Sequence, residues 1–554
     1  MTFTRRLEDC SRVPLSQITL DEAGDTSVPG LLDRRVEETP DARALITVRG
    51  ELTFAEWRGQ AAATAALLRD GFGIGRGERL LLWMGSDDAR GFHVALHATL
   101  VERAVVVALD DRLKPAEVRR LMGETEPRAL VLSSTVARNL TPAGLAELGL
   151  DPDLPVDDAE LVHVVPVADR AVAPGGESVR LSELPAAEPR SVASPGDDAT
   201  IFFSSGSTGA PKGALWTHGD LCQYVERAAH AIYALPRNGK HLQADDLLQS
   251  PIPVYTAAHV MENPYAAVVA GCTLACESSR FDAAASEQRM HDLGTTIYNA
   301  APPHFAMMCE LPPSPEPERL ELMVSGGSAF TAPLYRRMRE RWPSASITNW
   351  YGLMESGCGQ TLSYGEDIER APGAIGRPVP PTEFRIVDDQ LADLPAGTEG
   401  ELWTRAPAQM REYFENPEET ARRLHDGWLR TGDRAVLDES GVIHVVGRNE
   451  ERINRGGFKF YPVEIESVLE DDPRVLEAAV IAVPHDLLGQ DAVAFVVPTA
   501  GTELDEDDLR SRCKALVAPN KVPSRIIVTE RLPRGAYGKV VRRDLAKRYQ
   551  ELQG

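Results

Sequence analysis

From residue 31 to 136 the chain alternates apolar runs of two kinds. Residues 54–72 repeat their apolar positions at helical spacing and are rich in alanine, whereas 79–84 (Arg-Leu-Leu-Leu-Trp-Met) is a short continuous apolar run that predicts a buried strand. Residues 104–108 and 129–132 repeat the strand pattern, and 115–122 the helical one. This alternation predicts an α/β layered domain around a parallel sheet. Residues 141–198 are rich in Pro, Asp, Glu and Ala and read as peripheral structure and loops. Strands and helices alternate again from 201 to 404, with strands at 399–405 and 442–446 in a smaller β-rich part. A compact α+β pattern closes the chain: helix 462–470, strands 475–483 and 491–497, helix 505–516 and strand 525–528. The predicted class is α/β. A large N-terminal domain of layered α/β subdomains plus a β-rich part spans 1–447, and a small, mobile α+β C-terminal domain spans 448–554.

Composition narrows the function classes. At 554 residues the chain exceeds what one hydrophobic core serves, so three or four domains or subdomains are expected. The formal net charge of −24 argues against nucleic acid or an anionic membrane as a main partner. It says nothing against ATP, because a phosphate site needs only local positive groups. Residues 1–12 are polar with no signal-peptide core, and the longest apolar stretch, around 265–276, is too short to span a bilayer. The seven cysteines are scattered. Cys272 and Cys276 have no second ligand pair nearby, so zinc is not expected and a reduced, cytoplasmic setting is.

The segment 204–213, Ser-Ser-Gly-Ser-Thr-Gly-Ala-Pro-Lys-Gly, follows the apolar run Ile201-Phe202-Phe203. Gly206 and Gly209 free the backbone to turn, Ser204, Ser205, Ser207 and Thr208 bring hydroxyls, and Lys212 brings a point charge suited to phosphate. Gly/Ser-rich segments are also often linkers. Here Pro211 and the ordered flanks argue for a loop that grips a polyphosphate. Pro211 before and Gly213 after Lys212 exclude the ordinary P-loop pattern. Lysine is scarce, eight against fifty-one arginines, which makes a lysine in such a loop notable.

Four later motifs join it: Trp350-Tyr351-Gly352-Leu353-Met354-Glu355 after a strand at 346–349, Trp428 to Asp433 ahead of a strand, Gly447-Arg448 leading to Ile453-Asn454-Arg455-Gly456-Gly457, and Leu532 to Val540 with Gly538-Lys539. Alone, Asp433 reads as a turn residue, Glu355 as a surface acid, Lys539 as a hairpin lysine and Tyr351 as core. Together, their order and spacing closely resemble the adenylate-forming superfamily of acyl- and aryl-CoA ligases, peptide-synthetase adenylation domains and luciferases, from about residue 28 to 548.

The resemblance implies that a carboxylate attacks the α-phosphate of Mg-ATP to give an acyl-adenylate and pyrophosphate, that a thiol then displaces AMP, and that the small domain rotates between the steps. It assigns the β- and γ-phosphates to Ser204, Ser205, Gly206, Ser207, Thr208, Gly209 and Lys212. It assigns Mg²⁺ to Glu355, the ribose to Asp433 with Arg448, and adenine stacking to Tyr351. Gly326, Gly327 and Ser328 line the adenine and acyl pocket. Lys539 bridges the substrate carboxylate and the α-phosphate. Glu450 falls at the hinge, and Gly456 and Gly457 on the thiol side.

This chain departs from the family in places. Met354 stands where Thr is usual, though aryl-acid members often carry Ala there. Trp350 fills a position that is small in many long-chain members. That bulk implies a shortened pocket for a small or aromatic acid, and Gly352 and Met354 are assigned to the same pocket. His259, in 251–259, sits a few residues later than the family's aromatic-His motif and reads either as the gate of the pocket or as a helix-face histidine. No Asp stands where amino-acid-activating domains bind the α-amine, although Glu262 lies in that region.

The expected function is a stand-alone AMP-forming ligase acting on a small or aromatic carboxylic acid. The expected cofactors are ATP and Mg²⁺, with coenzyme A as acceptor. The alternatives are transfer to a separate carrier protein's phosphopantetheine, activation of another oxyacid such as nitrite with transfer to an aryl amine, and a non-catalytic nucleotide-binding relative. The intact Lys212, Glu355, Asp433 and Lys539 argue against the last.

Overall fold

The computed structural model describes residues 27–168, 171–173, 175–188, 193–203, 212–535 and 539–553. Within them, the longest predicted helix forms as Phe54–Phe72. Thr53 and Glu56 close its first turn reciprocally: the Glu56 N–H donates to Thr53 Oγ1 at 3.1 Å and the Thr53 N–H to Glu56 Oε2 at 2.8 Å. Gly73 ends it in the left-handed region at φ 66°.

Among the described residues, two nine-stranded sheets carry the larger part of the chain. The first has a parallel centre in the order Ser346–Leu353, Leu322–Gly326, Ile297–Ala300, Leu247–Ser250, Thr273–Cys276, Arg43–Thr47. Antiparallel Gly357–Ser363 and Gly50–Thr53 flank it. In the second, Arg79–Trp83 lies between parallel neighbours Val105–Leu109 and Ala129–Ser133. Asp198–Phe203 and Gly213–Thr217 form an antiparallel pair there, with Phe203 opposite Gly213. The glycine- and hydroxyl-rich segment falls between these two strands in the sequence. One apolar cluster takes Leu45, Leu248 and Leu274 from the first sheet, Leu80, Leu82 and Val106 from the second, and Trp57, Phe92, Tyr224 and Tyr265 from helices. A parallel sheet buried on both faces reads as continuous apolar runs, which is why its strands stood out in the sequence.

Two expectations need correction. Leu161–Ala168, read as peripheral, is an eight-residue strand whose Val165 pairs with Leu130, so it extends the second sheet. Trp428 to Asp433 does not precede a strand; it lies inside Trp428–Leu437, which runs on through Gly432. That strand pairs with Gly400–Arg405 and Ile443–Arg448 in a third sheet. A fourth sheet holds Ile453–Arg455, Phe458–Phe460, Val475–His485, Gly489–Pro498 and Arg525–Val528, and the chain passes to it through a short turn at Asn449–Glu451. No described helix is long and apolar enough to cross a membrane.

A buried ion pair braces the first sheet. The Arg237 side chain, 2% exposed, meets Asp246, 1% exposed, at 2.8 Å and Glu321 at 2.6 Å. Removing one partner strands a charge in the interior. Arg237→Ala is expected to cost about 3–5 kcal/mol, read as a lowered Tm, and Arg237→Ala with Asp246→Asn should recover part of it.

Candidate active site

The candidate site lies where the parallel strands of the first sheet end, the usual place for ligands in open α/β sheets. Gly326 closes Leu322–Gly326 opposite Trp350, with Gly327 and Ser328 just beyond. Trp350, Tyr351 and Gly352 continue in strand Ser346–Leu353. Gly352 has no room for a side chain: a Cβ there would stand 2.4 Å from the Gly357 carbonyl oxygen. Trp350 is buried, and its ring packs edge-on against Tyr233 with centroids 5.0 Å apart.

Glu355 and Met354 are tied to the strand that leaves the predicted phosphate loop. The Trp216 Nε1–H donates to the Met354 carbonyl at 3.0 Å, and the Tyr413 hydroxyl donates to Glu355 Oε1 at 2.7 Å. Tyr413 lies opposite Ala214, so both anchors rest on strand Gly213–Thr217. Ser204, Ser205, Gly206, Ser207, Thr208 and Gly209 lie outside the described residues, as do Tyr537 and Gly538. Lys212 is described, and its Nζ stands 2.6 Å from Glu419 Oε1. Burial works against the Glu419 carboxylate, but Lys212 and Arg422 outweigh it and hold its pKa below the usual value.

Asp433 organises the opposite wall. It faces Arg448 across paired strands, with Arg448 Nε 3.1 Å from Oδ1. The Tyr351 hydroxyl donates to Oδ2 at 2.5 Å. Burial, then the Asp433 charge, pushes the Tyr351 phenol well above its ordinary value, while Asp433 raises Arg448. Tyr351, Asp433 and Arg448 are thus one connected unit.

Lys539 joins this unit from beyond the fourth sheet. Its side chain is exposed to solvent. Desolvation by the protein around it pulls its pKa down to about 8, the Arg448 charge adds to the fall, and the Asp433 charge opposes it. Glu450 lies in the turn Asn449–Glu451. Gly456 and Gly457, at φ 60° and 90°, form the two-residue turn of the hairpin that pairs Arg455 with Phe458.

His259 is fully buried. Its Nε2 stands 3.1 Å from Nε2 of His93 on helix Ala89–Val101, and its Nδ1 lies 3.4 Å from Asn263 Nδ2. Burial, then His93, lowers its pKa well below the ordinary value, so the ring is neutral. Cys276 completes a buried group whose ligand-type atoms lie within 4.8 Å of one another. Sequence spacing has no access to that cluster, nor to Tyr413, Trp216 and Glu419, because their partners are remote along the chain.

The profile of the AMP-binding enzyme family matches residues 32–414, and that of the AMP-binding enzyme C-terminal domain matches 464–539. The chain belongs to the AMP-binding enzyme family. As a member of this adenylate-forming family it is an AMP-forming acid ligase of the acyl-CoA-synthetase kind. It is 29% identical over 511 residues to a 4-coumarate–CoA ligase-like protein of Oryza sativa subsp. japonica, covering 90% of this chain and 88% of that protein. It is also 29% identical over 538 residues to a long-chain-fatty-acid–CoA ligase of Yersinia pestis, covering 91% of each. Its fold matches a benzoate CoA ligase from Burkholderia xenovorans LB400 with a TM-score of 0.79 at 24% identity, over 94% of this chain and all of that one.

Proposed function

We propose that this AMP-binding enzyme activates a small or aromatic carboxylic acid as its adenylate and passes the acyl group to coenzyme A. The observation that carries the choice of acid is Trp350. Its buried indole packs edge-on against Tyr233, and we take this aromatic pair as a wall that shortens the acid pocket. The relatives' names span aromatic and long-chain acids and so do not choose between them.

In this reading a substrate carboxylate oxygen attacks the α-phosphorus in line and the pyrophosphate leaves. Such a displacement needs charge neutralisation and positioning more than covalent help. Lys539 holds the carboxylate against the α-phosphate. Asp433 accepts the ribose hydroxyls, and Arg448 and the Tyr351 hydroxyl fix its orientation. Tyr351 offers its ring to adenine beside Gly326, Gly327 and Ser328. Ser204 to Gly209 and Lys212 hold the leaving phosphates, and Glu419 sets where the Lys212 ammonium stands. Glu355 Oε1 is taken by Tyr413, and Oε2 accepts no hydrogen bond among the described residues. That free carboxylate oxygen suits a hard cation, so Glu355 would hold Mg²⁺, which neutralises phosphate charge. For the second step we assign Glu450 as hinge between units 1–447 and 448–554, with Gly456 and Gly457 on the thiol side.

Pyrophosphate release tests the reading. It should require both ATP and an acid, and coenzyme A should turn a single burst into continued turnover. Absence of release across aryl and short-chain acids, with ATP still binding, would overturn it. Trp350→Leu should shift preference toward longer acids, since each added methylene in a pocket is worth about 1–3 kcal/mol. An unchanged chain-length profile would remove Trp350 from the pocket.

A further inference from the structure

Glu262 ends helix Ala257–Glu262 and is 5% exposed. Its Oε2 accepts the Asn299 Nδ2–H at 3.1 Å, and the Cys358 thiol bonds it as well. Both donors are neutral, and among the described residues no Lys or Arg pairs with Glu262. Burial raises this carboxyl to about 7, above the ordinary carboxylate range. A buried carboxylate with only neutral donors is half of an interaction, because interior charges are normally met by an opposite charge.

The place of Glu262 gives that neutral setting a meaning. Asn299 lies in strand Ile297–Ala300, beside the one that carries Gly326, and its Nδ2 also lies 3.5 Å from the Tyr233 hydroxyl. Tyr233 is the ring that packs against Trp350, so Glu262 and Trp350 flank one aromatic–amide group. Among the described residues Trp350 Nε1 is buried with no hydrogen-bond partner, a second polar atom left open there. Trp350 lies opposite Gly326 on the paired strand, so this group stands beside the aromatic wall assigned above to the acid.

We propose that Glu262, held by Asn299 and Cys358 beside Trp350, is a subsite for an amino group on the acid, so that the enzyme's substrate is an amino-substituted carboxylic acid. This rests on the ligase reading above. The amino group donates an N–H to Glu262, and an alkyl ammonium adds the missing charge. Trp350 offers a face to the carbon skeleton between the two ends.

The test is a set of matched acids in the pyrophosphate-release assay: benzoate against aminobenzoates, and butyrate and hexanoate against their terminal amino derivatives. At least one amino acid of the set should exceed its unsubstituted partner by about tenfold or more in kcat/KM, because a site built around a substrate N–H rejects the analogue that lacks it. A gain confined to aminobenzoates identifies a neutral N–H donor, and one confined to the alkyl set identifies an ion pair. Glu262→Gln should keep the fold, judged by Tm, and retain preference only for an aryl amine. Glu262→Leu should erase preference for either. If unsubstituted acids release pyrophosphate as well as amino acids do, or if Glu262→Leu leaves the ratio unchanged, Glu262 merely ties its helix to the sheet and the subsite is overturned while the ligase reading stands. If no acid releases pyrophosphate, both are overturned.

Discussion

Lys539→Ala should lower adenylate formation by about 10²–10³-fold, the usual cost of losing one preorganised donor at a developing charge. ATP–pyrophosphate exchange is the measurement. The effect should fall on the first half-reaction alone: supplied with preformed acyl-adenylate, the variant should transfer its acyl group to coenzyme A at close to the normal rate. The lowered pKa adds a pH signature. Lys539 titrates near 8, so its ammonium is complete below that pH and is lost as pH rises through it. Exchange in the unaltered enzyme should fall along that limb. Lys539→Arg keeps a charge that does not titrate, so it should run at a lower plateau without the limb. Normal exchange by Lys539→Ala would remove this lysine from the adenylation step.

Elements defined by local patterning were legible in the chain. Phe54–Phe72 carries its own start signal in Thr53 and Glu56 and its stop in Gly73, so one window of sequence specifies it. Arg79–Trp83 is apolar on both faces because both faces are covered. Leu161–Ala168 was missed because its Pro- and Asp-rich surroundings mimic loop while its pairing partner lies elsewhere. Trp428 to Asp433 was expected ahead of a strand, yet they lie within the strand Trp428–Leu437, which passes through Gly432 at φ 78°. Motif residues were legible as types, but not who holds them. Glu355 depends on Tyr413, 58 residues away, and Lys212 meets Glu419, 207 residues away. His259 kept two readings in the sequence because only the fold brings His93, 166 residues distant, against its ring.

The second large effect is expected at Asp433. Its side chain is 4% exposed and serves Tyr351 and Arg448 at once, so it both binds and positions. Asp433→Ala should raise the KM for ATP by about 10–10²-fold, in line with the loss of charged hydrogen bonds worth about 1.5–3 kcal/mol, and should change kcat less. Asp433→Asn keeps an acceptor for the Tyr351 hydroxyl but gives up the charge that Arg448 faces, and should fall between. Tyr351→Phe separates the two duties: it leaves the carboxylate in place and removes one bond that fixes it, so its effect on the KM for ATP should be smaller than that of Asp433→Ala. A ribose contact makes a sharper demand. The unaltered enzyme should discriminate against 2′-deoxy-ATP, and Asp433→Ala should have lost that discrimination, because the acceptor of the missing hydroxyl is gone in both cases. Equal use of ATP and 2′-deoxy-ATP by the unaltered enzyme, or a KM for ATP unmoved in Asp433→Ala, would mean that the Tyr351–Asp433–Arg448 unit braces the junction beside Lys539 without touching the nucleotide. Unfolding of Asp433→Ala would not save the assignment, since Asp433→Asn preserves the volume and reports the same discrimination.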